Sequence, residues 1–64
     1  MSFKPVFIMP SGERATNSQC FATEQEARSS AAARFMVWTM PSAYDTEYSV
    51  EDVNYLFDGK DMSI

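Results

Sequence analysis

A single cysteine, Cys20, and the complete lack of histidine restrict this 64-residue chain more than any motif it carries. A chain this short buries only about 60% of the surface its unfolded form exposes, and many small domains add disulfides or a structural metal. Neither device is open here. A disulfide needs a second cysteine, and the usual four-ligand zinc sites are built from cysteine and histidine. The fold must come from packing, or from packing helped by self-association. The material is present: 45% of the residues are hydrophobic and 14% aromatic, which is a globular composition. The same absence limits chemistry, because histidine is the side chain that titrates unaided near neutral pH. Cys20, in Ser18-Gln19-Cys20-Phe21, has no electropositive neighbour to favour a thiolate. It reads as a small buried hydrophobe, and one unpaired cysteine suits a reducing cytoplasm.

Hydrophobic spacing divides the chain into few elements. Phe3 to Met9 is a short apolar run bounded by turn residues and reads as a strand, with Pro5 expected at its start or on an edge because proline donates no ladder hydrogen bond. Pro10-Ser11-Gly12 supplies a turn. Arg14 to Asn17 reads as loop and Ser18 to Phe21 as a short return strand. Thr23-Glu24-Gln25-Glu26 matches a capping box, in which the Thr23 hydroxyl accepts from the Glu26 amide and the Glu26 side chain reaches back. The helix it opens runs to about Thr39, is rich in alanine and contains no glycine or proline; Pro41 ends it. Ala27, Ala31, Phe35 and Trp38 align on one face of that helix. From Tyr44 to Glu51 the period is two: Tyr44, Thr46, Tyr48 and Val50 face inward, Asp45, Glu47, Ser49 and Glu51 outward. Val53 to Phe57 resumes strand character, Asp58-Gly59 turns the chain away, and residues 58–64 read as a frayed tail behind a single domain of residues 1–57. The expected architecture is α+β, one helix on an antiparallel sheet of about three strands in the order β-β-α-β. Trp38 is expected to anchor the core against Phe7, Tyr48 and Val50.

The net charge of −4 is uneven. Residues 1–40 carry Lys4, Arg14, Arg28 and Arg34 against Glu13, Glu24 and Glu26; the remainder sets Lys60 against Asp45, Glu47, Glu51, Asp52, Asp58 and Asp61. An acidic end argues against direct binding of nucleic acid, which needs clustered Lys and Arg, and points to a protein partner with a basic surface. Glu47, Glu51 and Asp52 beside Tyr48 or Tyr55 could do acid–base work only in a pocket that perturbs them, and a solvated strand face is the better reading. The acids lack calcium-loop spacing, and two glycines make no phosphate loop, so no metal or cofactor is expected. Asn54 breaks an apolar run; its amide reads as a satisfier of stray backbone groups, with a partner contact as the alternative. No run approaches the roughly 20 apolar residues of a membrane span, and Met1-Ser2-Phe3-Lys4-Pro5 lacks the layout of a signal peptide, so no membrane association is expected.

Two surfaces stand out as contact candidates. One is the acidic strand face of Asp45, Glu47, Glu51 and Asp52. The other is the apolar helix end of Met36, Val37 and Met40, since Met36 falls opposite the Ala27–Ala31–Trp38 stripe and Val37 lies toward the same side.

Phe21-Ala22-Thr23, Glu26-Ala27, Arg34-Phe35, Trp38, Pro41, Tyr44, Val53-Asn54-Tyr55 and Phe57 together form a recognisable pattern. It resembles a class of very short bacteriophage and prophage proteins of no assigned activity, with an aromatic-Thr-x-x-Glu-Ala helix start, a Trp ending the helix and an Asn-Tyr near the C-terminus. The resemblance covers residues 21–57 and rests mostly on fold-determining positions. It implies a phage origin and a place in the host cytoplasm, and it transfers no catalytic residue. The leading expectation is a non-enzymatic interaction module that binds and modulates a host or phage protein. The alternatives are an acidic mimic of nucleic acid that occupies a basic DNA- or RNA-binding site, and a small structural subunit that self-associates as a homodimer.

Overall fold

A computed structural model describes all 64 residues. Strand β1 (Ser2–Ile8) lies in the middle of a three-stranded antiparallel sheet, with β2 (Arg14–Thr16) on one side and β3 (Ala43–Ser49) on the other. Helix α1 (Glu24–Val37) packs on this sheet, and strands β4 (Tyr55–Phe57) and β5 (Asp61–Ser63) form a separate two-stranded ribbon. The expected α+β architecture is present, with an added ribbon.

The register sorts the two faces of the sheet. Phe3, Pro5 and Phe7 stand opposite Tyr48, Thr46 and Tyr44, while Ser2, Lys4, Val6 and Ile8 stand opposite Ser49, Glu47, Asp45 and Ala43. The helix takes the first set: Phe7 meets Trp38 edge-on at 5.3 Å between ring centroids, and Phe35 meets Tyr44 at 5.2 Å. The fully buried Ala27 and Ala31 let helix and sheet approach closely behind these rings. The polar partner set faces away from the helix, as the period of two in β3 predicts.

Pro5 is not at a strand start or on an edge strand; it sits inside the central one. The reason lies in the partner. Phe3 and Phe21 exchange both backbone hydrogen bonds at 2.8 Å, while between Thr16 and Phe21 the chain leaves the sheet. Pro5 faces that gap, so its missing N–H costs no ladder bond, and the Thr16 hydroxyl donates to its carbonyl at 2.8 Å. Strand β2 therefore occupies the polar stretch expected to be loop, and of the expected return strand at Ser18–Phe21 only Phe21 pairs. The tight turn before β2, with Gly12 at φ 92° and its N–H donating to the Met9 carbonyl, carries polar residues into register without help from hydrophobicity.

The helix begins as expected: Thr23 is the N-cap and its hydroxyl accepts from the Glu26 N–H at 3.2 Å. It ends at Val37, two residues short of Thr39, because Trp38 is extended and caps the helix through its N–H to the Arg34 carbonyl. Strand β3 also stops early, at Ser49, where the Ser49 hydroxyl accepts from the Glu51 N–H. Val50 consequently points to solvent, 83% exposed, and Tyr48 packs on Phe3 at the edge of the sheet. Of the partners expected for Trp38, only Phe7 meets it. The centre of the core is Phe21, fully buried where β1 and the ribbon meet.

Residues 58–64 are not a frayed tail. Asp58-Gly59-Lys60 forms the loop of a hairpin, with Gly59 at φ 76°, and Tyr55, Leu56 and Phe57 pair with Ser63, Met62 and Asp61. The chain therefore runs β-β-α-β-β-β, with the last strand a part of the folded unit.

Candidate functional site

The acidic candidates occupy a face already rich in cations. Asp45 and Glu47 project from β3 away from the helix, and the register sets Lys4 opposite Glu47. Arg14 on β2 comes within 3.9 Å of Glu47, so this ion pair crosses β1 above Val6 and helps to bury it. Arg28 reaches from the helix to within 3.7 Å of Asp45. Glu51, beyond the strand end, lies 2.7 Å from the Lys4 ammonium. That hydrogen bond raises the Lys4 pKa above its ordinary value and lowers that of Glu51, the nearby opposite charge adding to both effects. Asp52 is exposed and forms no ion pair. Three of the four acids thus have their charge opposed within the chain, and the face carries mixed charge.

The apolar candidates lie where the helix runs out. Met36 and Val37 are each 82% exposed and Met40 is 65% exposed. The cause is local: Trp38 leaves the helical path to cover Phe7, and the residues on either side of it turn outward. No neighbouring element covers this end.

Asn54 clasps the ribbon to the body of the molecule. Its Oδ1 accepts from the Cys20 N–H at 2.8 Å, its Nδ2 donates to the Ser18 carbonyl at 2.9 Å, and its own N–H donates to the Cys20 carbonyl at 3.0 Å. Its carbonyl accepts from the Ile64 N–H. This is the structural role expected for the amide. Cys20 is buried, again as expected, and its sulfur lies near the Ser18 carbonyl.

The sequence did not signal a groove of about 410 Å³ between the second half of α1 and the β4–β5 turn. Ser30, Arg34, Val37, Phe57, Lys60 and Asp61 are among its walls. Arg34 Nη2 donates to Asp61 Oδ2 at 3.2 Å and to Gln19 Oε1 at 3.3 Å, while Gln19 Nε2 donates to the same Asp61 oxygen at 2.9 Å. The available signal was the Asp58-Gly59 pair, a hairpin cue that returns Asp61 to the helix. None of the carboxylates on the sheet face lines this groove, and no three Asp, Glu or Cys side chains converge in a way that would hold a metal ion. No helix is long and apolar enough to cross a membrane. Comparison with family models, with curated proteins and with solved structures yields no match to this chain.

Proposed function

We propose that the chain is a non-enzymatic, phage-derived interaction module that binds and modulates a host or phage protein in the host cytoplasm, and that its contact surface is the helix end of Met36, Val37 and Met40. The observation that carries this reading is the exposure of those side chains, two of them at 82%, in a molecule whose buried apolar set is otherwise small. Contiguous exposed apolar surface favours a partner that removes it from water. The phage origin and the setting rest on the resemblance of residues 21–57. The acidic face draws less support as a docking surface for a basic partner, and as a mimic of nucleic acid, because Lys4, Arg14 and Arg28 already oppose three of its charges.

Capture from a bacterial lysate, wild type against Met36→Asp and Val37→Asp together, tests the reading. A protein retained by the wild type and lost by the variant supports it. A protein retained equally by both, or none at low and moderate salt, contradicts it. The same patch suits a homodimer, and sedimentation showing only the 7.2 kDa species at high concentration removes that alternative.

A further inference from the structure

The free edge of β3 carries an inference that goes beyond the helix-end reading. Phe3 spends its N–H and its carbonyl on Phe21, so it stands opposite Tyr48 without a hydrogen bond between them. By the alternation of an antiparallel ladder, Tyr44, Thr46 and Tyr48 turn their backbone groups off the sheet, along an edge that no strand covers. At seven residues β3 is the longest edge strand in the molecule, and long unpaired edges recruit other strands.

At the middle of this edge four residues close a ring. The Thr46 N–H donates to Asp45 Oδ1 at 2.8 Å, and the Thr46 hydroxyl donates to Glu24 Oε2 at 3.1 Å. Arg28 Nη2 lies 3.5 Å from that Glu24 oxygen and 3.7 Å from Asp45 Oδ1. Thr46 faces the helix and Asp45 faces away from it, so the ring closes around the outside of β3. We propose that this ring is a latch that keeps β3 from pairing edge to edge with the β3 of a second copy of the chain.

A second copy is the strand that this edge fits. Antiparallel pairing about Thr46 sets Tyr44 of each copy opposite Tyr48 of the other, and aromatic cross-strand pairs stabilise a sheet. The opposite face sets Asp45 against Glu47 twice, a contact between like charges. Asp45 therefore opposes the pairing in two ways: it occupies the central outward N–H, and it repels Glu47 of the other copy. Glu47 opposes it by charge alone, since its carboxylate lies with Arg14 and takes no N–H of the edge.

That asymmetry supplies the test. Asp45→Lys and Glu47→Lys give a β3–β3 contact the same charge complement, a lysine opposite a carboxylate, but only Asp45→Lys frees the Thr46 N–H. Both are made in the chain that carries Met36→Asp and Val37→Asp, so association through the helix end does not contribute and the two readings fail separately. Circular dichroism checks that each variant is folded. In sedimentation up to about 1 mM the parent chain should stay monomeric, and Asp45→Lys should dimerise about tenfold more tightly than Glu47→Lys. Amide exchange in that dimer should slow at Tyr44, Thr46 and Tyr48. Both lysines together set like charges opposite each other again and should restore the monomer. If Asp45→Lys does not fold, Asp45→Ala against Glu47→Ala repeats the comparison with the same expected order. A parent chain that pairs through β3 overturns the proposal. So does a folded Asp45→Lys chain that stays monomeric, equal dimerisation of the two single variants, or a dimer that survives both lysines.

Discussion

Along the seam between helix and sheet, rings meet rings: Phe7 on Trp38, Phe35 on Tyr44, with Ala27 and Ala31 filling the space behind them. The seam between the β4–β5 ribbon and the body is made differently. Asn54 bonds to Ser18 and Cys20, Glu26 Oε2 accepts from the Phe57 N–H at 3.1 Å, and Asp61 accepts from Gln19 and Arg34. Apart from Phe21 against Tyr55, at 6.2 Å, no aromatic pair bridges it. Two of the aromatic pairs sit on one seam, and the other is closed largely by side-chain hydrogen bonds to backbone and to other side chains, which need little volume but strict geometry. The first seam should tolerate changes of shape and the second should not tolerate changes of chemistry.

Phe21 is fully buried and pairs with both Phe3 of β1 and Tyr55 of the ribbon, so its loss should do the most damage. Phe21→Ala should cost about 3–5 kcal/mol, close to the whole stability of so small a domain, and circular dichroism should find the variant largely unfolded at room temperature. Trp38→Ala, at a half-buried ring with one aromatic partner, should cost less, about 2–3 kcal/mol in urea titration. If Trp38→Ala proves the more damaging change, the core is centred at the helix end and the comparison fails. Asn54→Ala should cost about 2 kcal/mol, since it removes two side-chain hydrogen bonds and leaves the N–H of buried Cys20 without its acceptor. Met36→Ala should change stability by less than about 0.5 kcal/mol in the same titration, as befits a surface position.

The smallest effect should come from the Lys4–Glu51 pair on the open sheet face. The folded-state pKa of Glu51 is lowered, so its contribution is present above the ordinary carboxylate value and lost as pH falls through the lower folded one. The folded-state pKa of Lys4 is raised, so its contribution is complete below its ordinary value of 10.5 and lost as pH rises through the higher folded one. The thermal midpoint of the wild type should exceed that of Glu51→Gln slightly near neutral pH, and the difference should shrink as pH falls below the ordinary carboxylate value and vanish below the lowered folded one. A difference that persists in acid means that Glu51 acts through something other than Lys4.

The two seams also differ in how far the sequence reveals them. The helix announced itself through Thr23 and Glu26, its packing face through Ala27, Ala31, Phe35 and Trp38, and β3 through its alternation; each signal is local and periodic. Strand β2 did not, because Arg14-Ala15-Thr16 has no hydrophobic pattern and is held by the turn before it and by pairing with β1. Strand β5 was hidden by the reading of Asp58-Gly59 as an exit, when the same dipeptide favours a hairpin. The capping box was legible, yet one Glu26 oxygen accepts from the Thr23 hydroxyl and the other from Phe57, 31 residues away, which no local pattern encodes. The helix-end candidates lay close together in sequence. The groove needed Ser30, Arg34 and Asp61 brought together by the ribbon, and became visible only with the hairpin in place.

Residue-resolved hydrogen exchange on the wild type and on Asn54→Ala tests the polar-seam account most directly. If hydrogen bonds hold the ribbon and packing holds the helix, the variant should lose protection at the ladder amides of Tyr55–Phe57 and Asp61–Ser63 while the inner turns of Glu24–Val37 keep most of theirs. Protection that falls equally in ribbon and helix, or that does not fall in the ribbon, would contradict the account.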